Sequence, residues 1–199
     1  MQIPEVLELE WELAKNRIAH ITEKNISAIG IPELPNDCSA AGLFGFDCIK
    51  KVEGKHFIPF EDGEPAWIIP SISGRGPHFP DDRHCLIVDL IATKTHTPNT
   101  WQTRYGAAPL LGIDWPDWCK QSIGISEQLF AYSTPLDWLR SGGQGVCVLD
   151  WDADLSLCLG GVEQIVCDNM QLAQQLACVL NDQPKRPRLL VSEEASNVA

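Results

Sequence analysis

Three aspartates alternate in the segment GVCVLDWDADLSLCLGG, residues 145–161, and they are the residues best suited to chemistry in this chain. If 146–151 is a β-strand, Asp150 and Asp152 leave its end on the same face, because successive side chains point to opposite faces. Phosphoryl-transfer enzymes hold Mg²⁺ or Mn²⁺ with such carboxylates, since these hard cations prefer oxygen ligands. Asp89, inside the apolar run CLIVDLIA, is a candidate third ligand.

The same segment also fits a structural turn without any metal. Asp152 and Asp154 flank Ala153, and aspartate is a frequent turn residue. Alternate leucines then follow at Leu155, Leu157 and Leu159, as on the returning strand of a β-hairpin. We favour this hairpin over the metal site. For Asp89 we expect a salt bridge with a nearby arginine, because an unpaired buried carboxylate is costly.

Tryptophans supply the second functional signal. The chain has 7 Trp but only 2 Tyr. Tryptophan and arginine are enriched where proteins bind their partners. The candidate binding residues are Trp101, Arg104, Trp115, Trp118, Trp138 and Arg140. The sequence leaves two interpretations of these tryptophans open: a partner-binding surface, or a core that covers one face of a sheet.

Composition restricts the class of protein. The formal net charge is -12 and the pI is about 4.7, so the chain repels phosphate backbones and anionic lipid. Its only basic cluster is PKRPR at 184–188. We therefore expect neither direct nucleic-acid binding nor membrane association. The acidic, amphipathic start of the sequence does not resemble a secretory signal, which predicts a cytoplasmic protein with reduced thiols.

We interpret the cysteines as structural residues. Cys147, Cys158, Cys167 and Cys178 all lie in apolar patterns, where a thiol acts as a small hydrophobic side chain.

Apolar periodicity predicts the elements of the first half. Residues 4–26 have helical spacing at Leu7, Trp11, Ala14 and Ile18, with Pro4 in the first turn. LFGFDCIKKV and HFIPF then predict a hairpin, followed by the strands AWIIPSI and HCLIVDLIAT. We expect Pro70 to confine the third strand to an edge or to end it early.

The second half alternates short helices and strands. AAPLLG, WPDWCKQ and PLDWLRSGG suggest short helices, the last one ended by Gly142. GVCVLDW, LSLCL and VEQIVC predict strands. Asp168 or Asn169 should cap a final helix whose apolar face includes Met170, Ala173 and Leu176, together with Ala177 and Leu180.

These elements predict an α+β fold. It has a mainly antiparallel sheet of hairpins, an N-terminal amphipathic helix, short Trp-rich central helices and a C-terminal helix. We expect one domain over residues 1–190 and a flexible tail over 191–199.

The sequence leaves two functions as hypotheses. We favour a non-catalytic accessory or regulatory protein that binds a protein partner through a Trp-rich surface and needs no cofactor. The alternative is an Mg²⁺- or Mn²⁺-dependent phosphoryl-transfer enzyme or nuclease that uses Asp150 and Asp152.

Overall fold

The computed structural model describes residues 3–18, 43–73, 86–95, 97, 100–112, 128–159, 162–181 and 187–192. The helices are α1 (Ile3–Ile18), α2 (Pro135–Arg140), α3 (Leu155–Leu159) and α4 (Met170–Val179). The strands of the first half are β1 (Gly45–Lys51), β2 (Phe57–Pro59), β3 (Glu64–Ser73), β4 (Leu86–Lys94) and β5 (Trp101–Thr103). Those of the second half are β6 (Leu110–Leu111), β7 (Gln128–Tyr132), β8 (Val146–Val148), β9 (Gln164–Cys167) and β10 (Arg188–Val191).

Sheet A contains the first five strands in the order β2-β1-β3-β4-β5, and every neighbouring pair is antiparallel. The predicted hairpin is confirmed as β1 and β2, and β4 is an interior strand as its apolar sequence indicates. β3 returns to the other side of β1, so the order differs from a simple meander.

Pro70 does not end β3 and does not place it at an edge, which corrects the prediction. β3 lies between β1 and β4, and Pro70 pairs with Leu90 in its interior. The pairing of β3 with β1 stops at Ile68. Among the described strands Pro70 therefore has a neighbour on one side only, and on the other side its missing N–H breaks no ladder hydrogen bond.

Helix α1 covers one face of sheet A. Leu7, Trp11 and Ala14 are buried at one helical stripe, as the spacing predicts. They pack in one cluster with apolar residues of the sheet such as Ile68 and Leu90. Gly45 allows this approach, because an added Cβ would lie 2.8 Å from the Ala14 backbone.

Sheet B has the order β10-β9-β7-β8-β6 and is mostly parallel. β7 pairs in parallel with both β8 and β9, and β9 with β10, whereas β6 is antiparallel to β8. Helices connect the parallel strands: α2 from β7 to β8, α3 from β8 to β9, and α4 from β9 to β10. The chain thus moves from β7 to one side and then returns to its other side, which is a doubly wound arrangement.

The two faces of sheet B bury different clusters. Val146 and Val148 of β8 pack with α3 and α4, whereas Cys147 and Leu149 pack with α2 and with sheet A. The cluster between the sheets includes Trp67 and Ile91 of sheet A. The layers are therefore α1, sheet A, sheet B and the pair of helices α3 and α4, with α2 beside the interface of the sheets.

Two predicted elements are wrong. The segment AAPLLG, predicted as a helix, contains β6, and LSLCL, predicted as a strand, is helix α3. The side chain of Asp154 accepts a hydrogen bond from Ser156 N at 3.0 Å, which caps α3 and starts a helix where the alternating leucines indicated a strand. The hairpin predicted for 145–161 is therefore absent, and β8 instead continues through α3 to β9.

The last helix is confirmed, but its buried face differs from the predicted apolar face. Asn169, one of the two predicted caps, accepts from Leu172 N at 2.8 Å. Leu172 replaces Met170 on the buried face, and Met170 is 60% exposed. Ala177 is also exposed.

The α+β class is confirmed, with an antiparallel sheet, an N-terminal helix and a C-terminal helix. Helix α2 confirms the prediction for PLDWLRSGG, whereas WPDWCKQ lies outside the described residues. Strands β7 and β10, and with them the parallel character of sheet B, were not predicted. Within the described ranges no helix is long and apolar enough to cross a membrane.

Candidate functional site

The carboxyl ends of β7, β8 and β9 bring polar residues to one edge of sheet B. β7 is followed by Ser133, β8 by Leu149 and Asp150, and β9 by Asp168 and Asn169. Because the winding reverses between β7 and β9, their carboxyl ends form the topological switch point, where α/β sheets commonly bind ligands.

A crevice of about 540 Å³ opens at this switch point. We call it the switch-point crevice. Its lining residues are Tyr132, Ser133, Asp137, Arg140, Ser141, Asp168 and Asn169. Helix α2 supplies one wall, and the starts of α2 and α4 border the crevice from the two strand ends. The volume is within the range of small-molecule sites.

Among the described residues, hydrogen bonds reach only one of the two carboxylate oxygens of Asp168. Its Oδ2 accepts from the backbone N and from Oγ of Ser133, both at 2.7 Å. Its Oδ1 is buried and has no hydrogen-bond partner among the described residues. A buried acceptor without a donor costs free energy, so this atom needs a physical explanation.

Asp137 and Arg140 form the other charged pair of the crevice. The Arg140 Nη1 donates to Asp137 Oδ1 at 2.9 Å. Asp137 Oδ2 in turn accepts from Thr134 Oγ1, the hydroxyl that caps α2. The charges of Asp137 and Arg140 therefore compensate each other, and the Asp168 carboxylate is the charge that lacks such compensation among the described lining residues.

The predicted metal ligands Asp150 and Asp152 do not lie in this crevice. Asp150 Oδ1 accepts from Asp152 N at 3.0 Å, which closes a turn directly after β8. Asp152 is exposed and Asp150 is half-buried. Among the residues that the structure describes, no three His, Cys, Asp or Glu side chains converge in a way that could hold a metal ion.

Asp89, the candidate third ligand, is fully buried in sheet A and bonded to the backbone. Oδ1 accepts from Leu90 N and Tyr105 N, both at 2.9 Å, and Oδ2 from Ala107 N at 2.8 Å. The partners are therefore backbone amides in place of the arginine that the sequence suggested. This carboxylate fixes the loop after β5.

Arg104 and Trp138 are placed in the interior of the protein. Arg104 Nε and Nη2 donate to the Glu10 carboxylate of α1 at 2.9 and 3.0 Å, and the side chain is 16% exposed. Burial opposes the charge, but the hydrogen bonds and charge of Glu10 raise the pKa of Arg104 above its usual value. Trp138 is 5% exposed, and its Nε1 donates to Gly145 O at 3.0 Å.

The structure describes two of the four other predicted binding residues. Trp101 is half-buried beside the cluster between the sheets, and Arg140 is exposed at the crevice. Trp115 and Trp118 lie outside the described residues. Trp138 therefore agrees with the interpretation of the tryptophans as core residues. Trp101 is partly exposed, so the interpretation as a partner-binding surface still applies to it.

The cysteines differ in their environments. Cys147 and Cys167 are fully buried. Burial and the charge of Asp168 raise the pKa of Cys167 to about 12, and burial with the charges of Asp168 and Asp137 raises that of Cys147 well above its usual value. Both thiols are therefore unreactive structural residues, as predicted. Cys158 is half-buried, and Cys178 is exposed, so the structural interpretation of Cys178 is wrong.

A row of apolar side chains lies on the same face of sheet B as the crevice. Phe130 is directly opposite Val166, which is directly opposite Leu190. We call these three residues the apolar row. Phe130 is 44% and Leu190 36% exposed. The apolar row lies on strands that the sequence patterns did not predict, β7 and β10; the alternation in QLFAY is the local signal for β7.

Comparison with known proteins adds no relative. No family model, no curated protein and no solved structure matches this chain. The geometry itself thus defines the class: an α+β protein whose second half is doubly wound and has a polar crevice at its switch point. The crevice and the apolar row are the two candidate functional surfaces of that half.

Proposed function

We propose that the protein is an accessory protein that binds a partner protein through an exposed part of sheet B, beside the region that packs on sheet A. The supporting observation is the apolar row, Phe130, Val166 and Leu190, which crosses three neighbouring strands with its two outer members exposed. Single exposed apolar residues are ordinary, whereas a contiguous exposed group is typical of an interaction surface.

The charge beside the apolar row indicates the chemistry of the partner. Arg188 is exposed and lies two residues before Leu190 on the same face of β10. It ends the only basic run of a chain whose net charge is -12. In the same register row, Gln128 and Gln164 are neutral and hydrogen-bond each other at 3.0 Å.

A partner that complements this surface has an apolar ridge with an acidic residue beside it. The ridge would cover Phe130 and Leu190, and the acid would pair with Arg188. We therefore commit to an amphipathic acidic segment of a protein as the occupant. This proposal keeps the predicted partner class but moves the contact surface from the tryptophans to sheet B, since Trp138 and Arg104 are largely buried.

The metal-dependent enzyme remains the second hypothesis from the sequence. Its proposed ligands Asp150 and Asp152 form a turn, and no observation on the described residues favours it over partner binding.

Position-specific photocrosslinking tests the proposal. A benzophenone amino acid is placed at Phe130, at Leu190 or, as a control, at Met170, which is 60% exposed on α4. In cells that express the protein, the first two positions should crosslink to one and the same protein, through a segment that is apolar and acidic. Met170 should give no such product.

A charge reversal sharpens the test. Arg188→Glu should reduce the crosslink from position 130 at least several-fold, because it places two acids opposite each other. Reversal of Lys50, an exposed cation of sheet A, is the matched control and should leave the yield unchanged. Crosslinks to nucleic acid, equal yields at all three positions, or no crosslink at 130 and 190 would each overturn the proposal.

A further inference from the structure

We propose that the switch-point crevice binds a protonated primary amine, with Asp168 as the residue that recognises its charge. This site is separate from the partner surface in its chemistry, although both lie on the same face of sheet B. Tyr132 and Asp168 each stand one residue beyond the paired Ala131 and Cys167, at the carboxyl end of the strands.

The Asp168 carboxylate supplies the negative charge that would pair with the amine. Ser133 donates to Oδ2 of Asp168 through both its backbone N and its Oγ, and these two bonds fix the orientation of the carboxylate. Oδ1 is buried without a partner among the described residues. A protonated amine in the crevice would compensate the negative charge of this carboxylate, and charge-assisted hydrogen bonds are the strongest in proteins.

The rest of the crevice suits an ammonium group. Tyr132 is one of its lining residues, and aromatic side chains attract cations. The hydroxyl of Ser141 donates to Trp138 O at 2.6 Å and lies 3.0 Å from Gln144 O, so toward a ligand it can only accept. The volume of about 540 Å³ admits an alkyl chain beyond the charged end.

Two other ligand classes fit less well. A divalent cation needs several hard oxygen ligands, and no three acidic or metal-binding side chains converge anywhere in the described part of the chain. An anion would meet the carboxylates of Asp137 and Asp168, and the Arg140 guanidinium is already bonded to Asp137. Asp168, the carboxylate that Arg140 does not bond in the described contacts, with a hydroxyl and a tyrosine nearby, matches an organic ammonium.

Calorimetric titration of the full chain tests the site with defined probes. Cadaverine represents a free amine, and Nα-acetyl-lysine methylamide represents a lysine side chain of a protein. 1-Pentanol, neutral and of similar size, is the control for apolar binding. Both amines or one of them should bind saturably, with a Kd on the order of 1 mM, and pentanol should not. Preference for the lysine derivative would indicate a protein lysine as the natural ligand, and preference for cadaverine a free amine.

Matched variants assign the binding to Asp168. Asp168→Asn should weaken amine binding at least about tenfold. Ser133→Ala, which removes one of the two orienting bonds, should weaken it about threefold. Asp154→Asn, an exposed acid at the start of α3, should leave it unchanged. Thermal unfolding of each variant checks that it folds, and the milder Ser133→Ala keeps the test valid if Asp168→Asn does not.

Three outcomes would overturn the proposal. The first is no saturable binding of either amine by the wild type. The second is an equal loss of binding in Asp154→Asn, which would indicate nonspecific attraction to an acidic protein. The third is saturable stabilisation by MgCl₂ or MnCl₂ that Asp168→Asn removes while the amines have no effect, which would assign the crevice to a metal ion.

Discussion

One aspartate of sheet A and one at the edge of sheet B are hydrogen-bonded in different ways. In sheet A, Asp89 is 0% exposed, and the backbone of its own chain supplies three N–H donors to it. In sheet B, Asp168 is bonded through one oxygen, and its other oxygen is buried without a partner at the edge of a crevice. The first carboxylate stabilises a loop. The second is the kind of incompletely bonded group that marks a binding site.

Strand direction explains where these groups lie. Sheet A is antiparallel, so its loops return directly and bond to neighbouring strands, as Arg104 and Tyr105 do after β5. Sheet B is mostly parallel, so several strand ends and helix starts meet at one edge. A parallel sheet therefore collects polar groups that its own backbone does not fully bond, and the switch point leaves space between them.

The largest expected effect separates Asp89 from the aspartates of sheet B. Asp89→Ala should lower the free energy of unfolding by about 4 kcal/mol, because it leaves three backbone N–H groups without their acceptor. Asp150→Ala removes one acceptor of a half-buried turn and should lower it by about 1 kcal/mol. Urea unfolding measures both values. Similar losses in the two variants would contradict the assignment of Asp89 as the structural carboxylate.

The second effect concerns the close contact of chain segments in sheet B. Gly145 has φ +79°, and an added Cβ would lie 2.4 Å from Phe130 O. Gly145→Ala should therefore lower the free energy of unfolding by about 3 kcal/mol, from backbone strain and steric overlap together. Gly142→Ala is the matched control: φ is +78°, but nothing lies within 4 Å of the added atom. It should lose only about 1 kcal/mol, and an equal loss would show that backbone strain explains both.

The sequence predicts sheet A better than sheet B for the same physical reason. Antiparallel hairpins are local, and their alternation and turn residues, as in β1 and β2, are visible in a short window. Parallel pairing joins segments far apart in the chain, such as β7 with β9, and no local signal shows which strands meet. Local capping also competes with periodicity: Asp154 starts a helix among leucines whose alternation indicated a strand.

The same limit applies to the candidate site. Asp150, Asp152 and Asp89 stand out in the sequence because each is conspicuous in its own segment, yet they do not meet. Ser133 and Asp168 are 35 residues apart and unremarkable in sequence, and only the parallel pairing of β7 and β9 brings them into contact. The sequence indicates Asp168 only as one of two candidate helix caps, a role that the neighbouring Asn169 performs.

The smallest expected effect is the pH dependence of the buried thiols, which sharpens the contrast between the interior of sheet B and its exposed helix α4. The folded pKa of Cys167 is about 12, above the value of about 8.5 expected for an unfolded thiol. Both states are protonated below about pH 8, so the thiol does not affect stability there. Above that pH the unfolded state loses its proton first, so the free energy of unfolding falls by about 1.4 kcal/mol per pH unit until about pH 12. Between about pH 9.5 and 11, Cys167→Ala should make the fall of the unfolding free energy with pH less steep by about 1.4 kcal/mol per pH unit. Cys178→Ala, at an exposed position, should leave the steepness unchanged. Urea unfolding across this range measures the slopes, and identical slopes in the two variants would mean that Cys167 ionises in the folded protein as readily as an exposed thiol.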